Sequence, residues 1–280
     1  MKKVVFLDVD GTLIDYNTVC PPSAFEAVKK ATANGHKVYI CTGCSKAEIA
    51  QRDLPKDLTG MIGGNGAYVE SDGEVVMHQA LTKDEVKAIV DWCEEKHIGF
   101  YLEANSGMYI NDWFVEQGPE AMARYKEGKG AVNVDREKER DHIKKNFILR
   151  HGDELYREDV NKISFVLGTY QDHLDSQEMF PELIANTWGG QDELALFGDL
   201  SPKGITKRHA IEVLVDWLGL DLKDTISFGD AHIDLSMFEC CAYNVAMGNG
   251  SDEIKQAADY VTADVNDDGL YKAFEYLNLI

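Results

Sequence analysis

The run Val4-Val5-Phe6-Leu7-Asp8-Val9-Asp10-Gly11-Thr12-Leu13 carries two carboxylates, two positions apart, out of strand-forming apolar residues and into a glycine turn. Side chains alternate faces along a strand, so Asp8 and Asp10 would share a side if the strand continued through them. Acids packed side by side repel, and a buried pair calls for a metal ion, a proton or a lysine. A metal-assisted reaction, with one carboxylate as nucleophile and the other as general acid/base, uses all of these features.

The chain that must position them has 280 residues, 44% of them hydrophobic, with a mean hydropathy of −0.30. That length buries a core in one large domain or two modest ones. No apolar run approaches the ~20 residues of a membrane helix. Asp8 and Asp10 interrupt the N-terminal apolar run too early for an export signal, so the expectation is a cytoplasmic protein with no membrane partner. Lys and Arg number 28 against 49 Asp and Glu, a net charge of −21. Nucleic acid is therefore not an expected partner, because phosphate backbones bind basic surface. A small anionic substrate stays open where a metal and a few lysines reverse the field locally. Six cysteines in a chain this long do not resemble a disulfide framework. Cys41-Thr42-Gly43-Cys44 does have the spacing of a redox pair.

Strand and helix alternate from the start. Val4–Leu7 reads as a strand, Pro21-Pro22 open a helix that Asn34-Gly35 close, and 37–41 is a second strand. Ser45 and Glu48 form a capping box for a short helix through Arg52, and Ser71-Asp72-Gly73 turns a hairpin. Thr82 and Glu85 cap a helix running to about His97. The middle third is less regular, and its charged run 134–145 reads as a solvated loop or helix face. From residue 204 the parallel pattern returns, with strands at 225–228 and 243–246 and a last helix at 268–277. The simplest architecture is α/β: a doubly wound, Rossmann-like parallel-sheet core from 1–82 and 191–280, with an α+β module inserted at 83–190.

Ligands gather at the carboxyl ends of strands in open α/β sheets. There the sequence places Asp8 and Asp10, then Thr42 and Gly43, then Asp230 and Asp234, with Lys207 near the start of the helix before the 225–228 strand. Together they offer a carboxylate nest for a divalent cation, and a hydroxyl and an ammonium for a phosphoryl group. Order and spacing resemble the haloacid dehalogenase-like phosphohydrolases, most closely the Cof-type branch. Asp8-Val9-Asp10-Gly11-Thr12-Leu13 is similar to the first motif, Thr42-Gly43 to the second, Lys207 to the third and Gly229-Asp230-Ala231-His232-Ile233-Asp234 to the fourth. Lys203 is a nearby rival, and the family spacing selects Lys207.

The resemblance implies an Mg²⁺-dependent phosphatase of small phosphorylated metabolites, such as sugar phosphates, with an inserted cap that closes over substrate. Asp8 would form an aspartyl-phosphate, and Asp10 would protonate the leaving oxygen and then activate water. Mg²⁺ would be held by Asp8, the Asp10 carbonyl and Asp230. Thr42, Gly43 and Lys207 would hold the phosphoryl oxygens, and Asp234 would orient Lys207 or a metal-bound water. The family commonly has arginine where this chain has Cys44, and asparagine where it has Ile233. Those departures leave a catalytically weak phospho-ligand-binding protein as an alternative, and Asp10, which favours phosphate-ester hydrolysis, leaves a phosphomutase as another. The resemblance explains Thr42-Gly43 by phosphate binding, which displaces the redox reading of Cys41 and Cys44. Lys145, Arg150 and Lys162 are candidate anion contacts within the insert.

Overall fold

β-Branched and aromatic residues favour a pleated, buried strand, and Val4–Leu7 is buried along its whole length. In the computed structural model, which describes residues 2–128, 132–188 and 196–280, this strand lies inside an eight-stranded sheet. The order is Tyr260–Val261, Tyr243–Ala246, Thr225–Gly229, Val4–Leu7, Lys37–Cys41, Gly60–Gly63, Tyr68–Ser71, Glu74–His78. The first six strands run parallel, and the last two fold back as an antiparallel hairpin. The hairpin turns through Asp72 (φ 50°) and Gly73 (φ 82°), the left-handed pair that matches strand twist. Strand order reverses at Val4–Leu7, whose neighbours come from opposite ends of the chain. That reversal marks the crevice where doubly wound sheets bind ligands. Leu7 is in register with both Ile40 and Phe228, so Asp8 leaves the sheet level with Cys41 and Gly229.

The chain divides into two units: Met1–Cys44, Arg52–His78 and Gly204–Ile280 form the first, Ser45–Gln51 and Gln79–Lys203 the second. In the first, Phe6, Tyr39 and Ile62 pack with Ile211 and Leu214 of the helix Lys207–Trp217. The second has a six-stranded sheet ordered Leu183–Thr187, Phe197–Pro202, Val160–Val166, Phe100–Ala104, Met108–Ile110, Ile148–Leu149. One face packs on Val86, Ile89 and Trp92 of the helix Lys83–Glu95. The other meets Phe114 and Ile143 from the helices Asp112–Gly128 and Arg136–Asn146. No helix among the described residues is long and apolar enough to cross a membrane.

The charged run 134–145 folds largely as the helix Arg136–Asn146, whose solvated face agrees with the expectation and which Ile143 and a mostly buried Glu139 hold in place. Two local expectations differ from the structure. Phe197–Pro202, with Gly, Asp, Ser and Pro in six residues, is a strand paired on both sides within the second sheet, so that sheet extends past residue 190. The short capped helix spans only Lys46–Ile49, which leaves Arg52 outside it.

One contact ties the fold to the lysine that begins the helix Lys207–Trp217. Gly66 has φ 110°, and a Cβ there would lie 2.3 Å from the backbone oxygen of Thr206, the residue that caps this helix. Gly66→Ala is expected to cost about 2 kcal/mol or more in urea unfolding, from strain and collision together. Gly73→Ala has the same backbone strain with nothing within 4 Å, and is expected to cost about 1 kcal/mol.

Candidate active site

Lys207 begins its helix with its ammonium directed into the sheet and 2% of the residue exposed. Its Nζ lies 2.8 Å from Asp8 Oδ1 and 2.7 Å from Asp234 Oδ1. Burial disfavours the ammonium, but the carboxylates of Asp234 and Asp8 outweigh it and hold the lysine protonated well above its usual range. Lys203 is exposed and lies 3.6 Å from Glu182, so Lys207 is the lysine beside Asp8. Asp234 Oδ2 accepts the backbone N–H groups of Asp230 and Ala231, each at 3.1 Å. With one oxygen on Lys207 and the other on two amides, Asp234 serves as a fixed anchor for the lysine.

Asp8, Asp230 and Asp234 each offer an oxygen within 4.8 Å of the others, and all three are buried. Three carboxylates against one ammonium leave two negative charges uncompensated, which a divalent cation would neutralise. The strain of this crowding is visible in the acids. Burial, then Asp234 and Asp230, push the Asp8 carboxyl well above the usual range against the opposing pull of Lys207. Burial carries Asp230 up to about 6, although the hydroxyls of Tyr16 and Thr12 favour its ionised form. The Thr12 hydroxyl donates to Asp230 Oδ1 at 3.0 Å and the Tyr16 hydroxyl donates a short bond to Oδ2. Gly11, at φ 95°, makes this approach feasible, since a Cβ there would lie 2.3 Å from Asp230 Oδ2. The donor set therefore fits a hard divalent cation, with Asp8 and Asp230 as the carboxylates still available to it.

Asp8 and Asp10 do not share one environment. The strand stops at Leu7, and the amides of Thr12, Leu13 and Ile14 all turn back to the Val9 oxygen. Asp8 enters the buried cluster, while Asp10 keeps 43% of its side chain exposed and receives a 2.7 Å ion pair from Arg52. Cys44 Sγ lies 3.2 Å from Arg52 Nη2 and 4.0 Å from Asp10 Oδ2. Thr42 is buried at the end of the adjacent strand, where its hydroxyl accepts the Cys44 N–H at 3.1 Å and so keeps its own proton to donate. Gly43 follows it, beside the Asn65 side chain.

None of the six cysteines forms a disulfide, and burial pushes the Cys41 thiol far above its normal range, which makes it a poor redox group. Ile233 is 50% exposed, whereas Asp234 next to it is fully buried. In the second unit, Lys162 lies 3.3 Å from Glu103 with both side chains buried. Sequence reading missed Tyr16 and Arg52. Neither belongs to a motif, and each reaches an acid remote in the chain: Asp230 is 214 residues from Tyr16, and Asp10 is 42 from Arg52.

Comparison with known proteins concerns the chain as a whole. The chain is 26% identical over 302 residues to a 5-amino-6-(5-phospho-D-ribitylamino)uracil phosphatase, YwtE, of Bacillus subtilis, covering 96% of this chain and 95% of that protein. It resembles the solved sugar phosphatase BT4131, described as subclass IIB, at 29% identity and a TM-score of 0.75 over the whole of both chains. BT1666 from Bacteroides thetaiotaomicron, a phosphatase of the haloalkanoate superfamily, is similar at 26% identity and a TM-score of 0.75, over 100% of this chain and 96% of that one. The profile of the haloacid dehalogenase-like hydrolases matches residues 5–274. With a doubly wound core, an inserted cap and a buried acid cluster at the strand ends, the chain belongs to the haloacid dehalogenase-like hydrolase family.

Proposed function

We propose that the protein is a cytoplasmic, Mg²⁺-dependent phosphatase of small phosphorylated metabolites, working through an aspartyl-phosphate. The observation that carries this reading is the Lys207 ammonium 2.8 Å from Asp8 Oδ1 in a buried cluster left two charges negative. The named activities of the relatives, on a phosphoribitylamino-uracil and on a sugar phosphate, support a substrate with a sugar-like or polyol body.

Burial and the neighbouring carboxylates favour the protonated form of Asp8, and that form is the poorer nucleophile. Asp8, Asp230 and the Asp10 backbone carbonyl would hold Mg²⁺, which would supply positive charge to keep Asp8 ionised and to offset charge on the phosphoryl oxygens. Asp8 attacks phosphorus, the ester P–O bond breaks, and the leaving oxygen takes the proton of Asp10. Asp10 then accepts a proton from water as the water oxygen attacks the aspartyl-phosphate, which releases phosphate and restores Asp8. Thr42 donates its hydroxyl proton, and Gly43 its amide, to phosphoryl oxygens, while Lys207 offsets their charge from a position fixed by Asp234. The cap carries the choice of leaving group.

Wild-type protein is expected to release inorganic phosphate from p-nitrophenyl phosphate, and Asp8→Asn to lose turnover by about 10³-fold or more. Free phosphate release separates hydrolysis from phosphomutase chemistry, and turnover above that of Asp8→Asn separates it from mere ligand binding. Chelation is expected to abolish turnover and Mg²⁺ to restore it. Mg²⁺ at a hundredfold excess over Kd is also expected to stabilise the fold by about 2.7 kcal/mol, a gain that Asp230→Asn loses. Asp230 has a folded pKa raised to about 6, so the folded state binds its proton more tightly than the unfolded chain. In metal-free buffer its ionised form therefore costs stability that is absent below the unfolded range, near about 4, and complete above about 6. Asp230→Asn is expected to gain on wild type across that window by about 2 kcal/mol, read from the two Tm curves.

A further inference from the structure

Position 44, directly after Thr42-Gly43, holds a cysteine where the resemblance places an arginine. A guanidinium nonetheless reaches Asp10. It arrives from Arg52, because the helix that begins at Lys46 ends at Ile49 and releases the chain three residues before Arg52. Arg52 Nη1 then donates to Asp10 Oδ1 at 2.7 Å, and Nη2 donates to Cys44 Sγ at 3.2 Å. The Arg52 side chain is 19% exposed, against 43% for the carboxylate that it grips.

Two features make these contacts one device. A long cationic side chain at position 44 would crowd and repel the Arg52 guanidinium, whereas a thiol offers it a soft acceptor. The half-exposed Asp10 carboxylate otherwise has several rotamers open to it, and proton transfer tolerates little misplacement. Arg52 bonds Oδ1, while Oδ2 faces the thiol 4.0 Å away. We propose that Arg52 is the positioning residue of Asp10, substituting from outside the motif for the arginine that this chain lacks at position 44. The inference rests on Asp10 acting as acid/base in the phosphatase reading.

The test uses leaving groups. p-Nitrophenolate departs without a proton, while an alkoxide needs one, so loss of an aligned acid strikes alkyl phosphates harder. kcat is measured on p-nitrophenyl phosphate and on glucose 6-phosphate for wild type, Asp10→Asn, Arg52→Ala, Arg52→Lys and Cys44→Arg/Arg52→Ala. Thermal unfolding of each variant reports folding. Arg52→Ala is expected to lower the alkyl-to-aryl ratio of kcat about 10-fold or more, in the direction set by Asp10→Asn, with a smaller change in KM. The ratio is expected to recover in Arg52→Lys and in the double variant. Equal losses on both substrates, or no recovery in the double variant, overturn the inference while the phosphatase reading stands. A wild type inactive on both substrates overturns both.

Discussion

A single ammonium buried among three carboxylates governs the first unit of this protein. Lys207 has no solvent to share its charge with, so its position is dictated by Asp8 on one side and Asp234 on the other. Each of those acids is fixed in turn: Asp8 by its place at the end of a central strand, Asp234 by two backbone amides. Removing one partner from such a cluster leaves an uncompensated buried charge, which costs far more than the pair contributes when intact. The cluster is nonetheless incomplete in charge, and that deficit is its chemical use. It is arranged to welcome positive charge at the point where strand order reverses.

The surrounding sequence serves this geometry. The parallel register sets Asp8 level with Cys41 and Gly229, which brings the Thr42 and Asp230 loops to the same edge of the sheet. Glycine at position 11 lets the backbone close onto Asp230, and glycine at 66 lets the loop after Gly60–Gly63 meet the cap of the lysine-bearing helix. The apolar core beneath, from Phe6 and Tyr39 to Leu214, keeps these loops on a rigid base.

Much of this was legible in the chain because the relevant physics is local. Asp8 and Asp10 follow a four-residue apolar strand, the Ser45 and Thr82 capping boxes form as expected, and Asp72-Gly73 adopts the turn that its residues favour. Lys207 was legible only through spacing, since a lysine at a helix start has no local mark of burial. The helix Arg136–Asn146 was legible only as one of two readings of a charged run, loop or helix face, because its apolar anchors are few, Ile143 with Phe147 beyond it. Phe197–Pro202 carries no strand signal because glycine, aspartate, serine and proline are all poor strand formers, yet Asp199 is buried and accepts bonds from Asn186 and Trp188. Tyr16 and Arg52 could not be read at all: their importance exists only once the chain has folded. The readings at 129–131 and 189–195 lie outside the described residues.

The pairing of Val4–Leu7 with Thr225–Gly229 has a consequence for how the molecule is made. The central strand leaves the ribosome well before one of its two neighbours, with Lys207 itself 199 residues from its partner Asp8. Such long loops must close before their contacts repay the entropy, so the first sheet is a slow, high-contact-order structure. The second unit, whose main segment is Gln79–Lys203, is synthesised in full before that closure. During synthesis the apolar Val4–Leu7 edge therefore waits unpaired on its Thr225 side, which makes the nascent chain, rather than the finished enzyme, the state most exposed to aggregation.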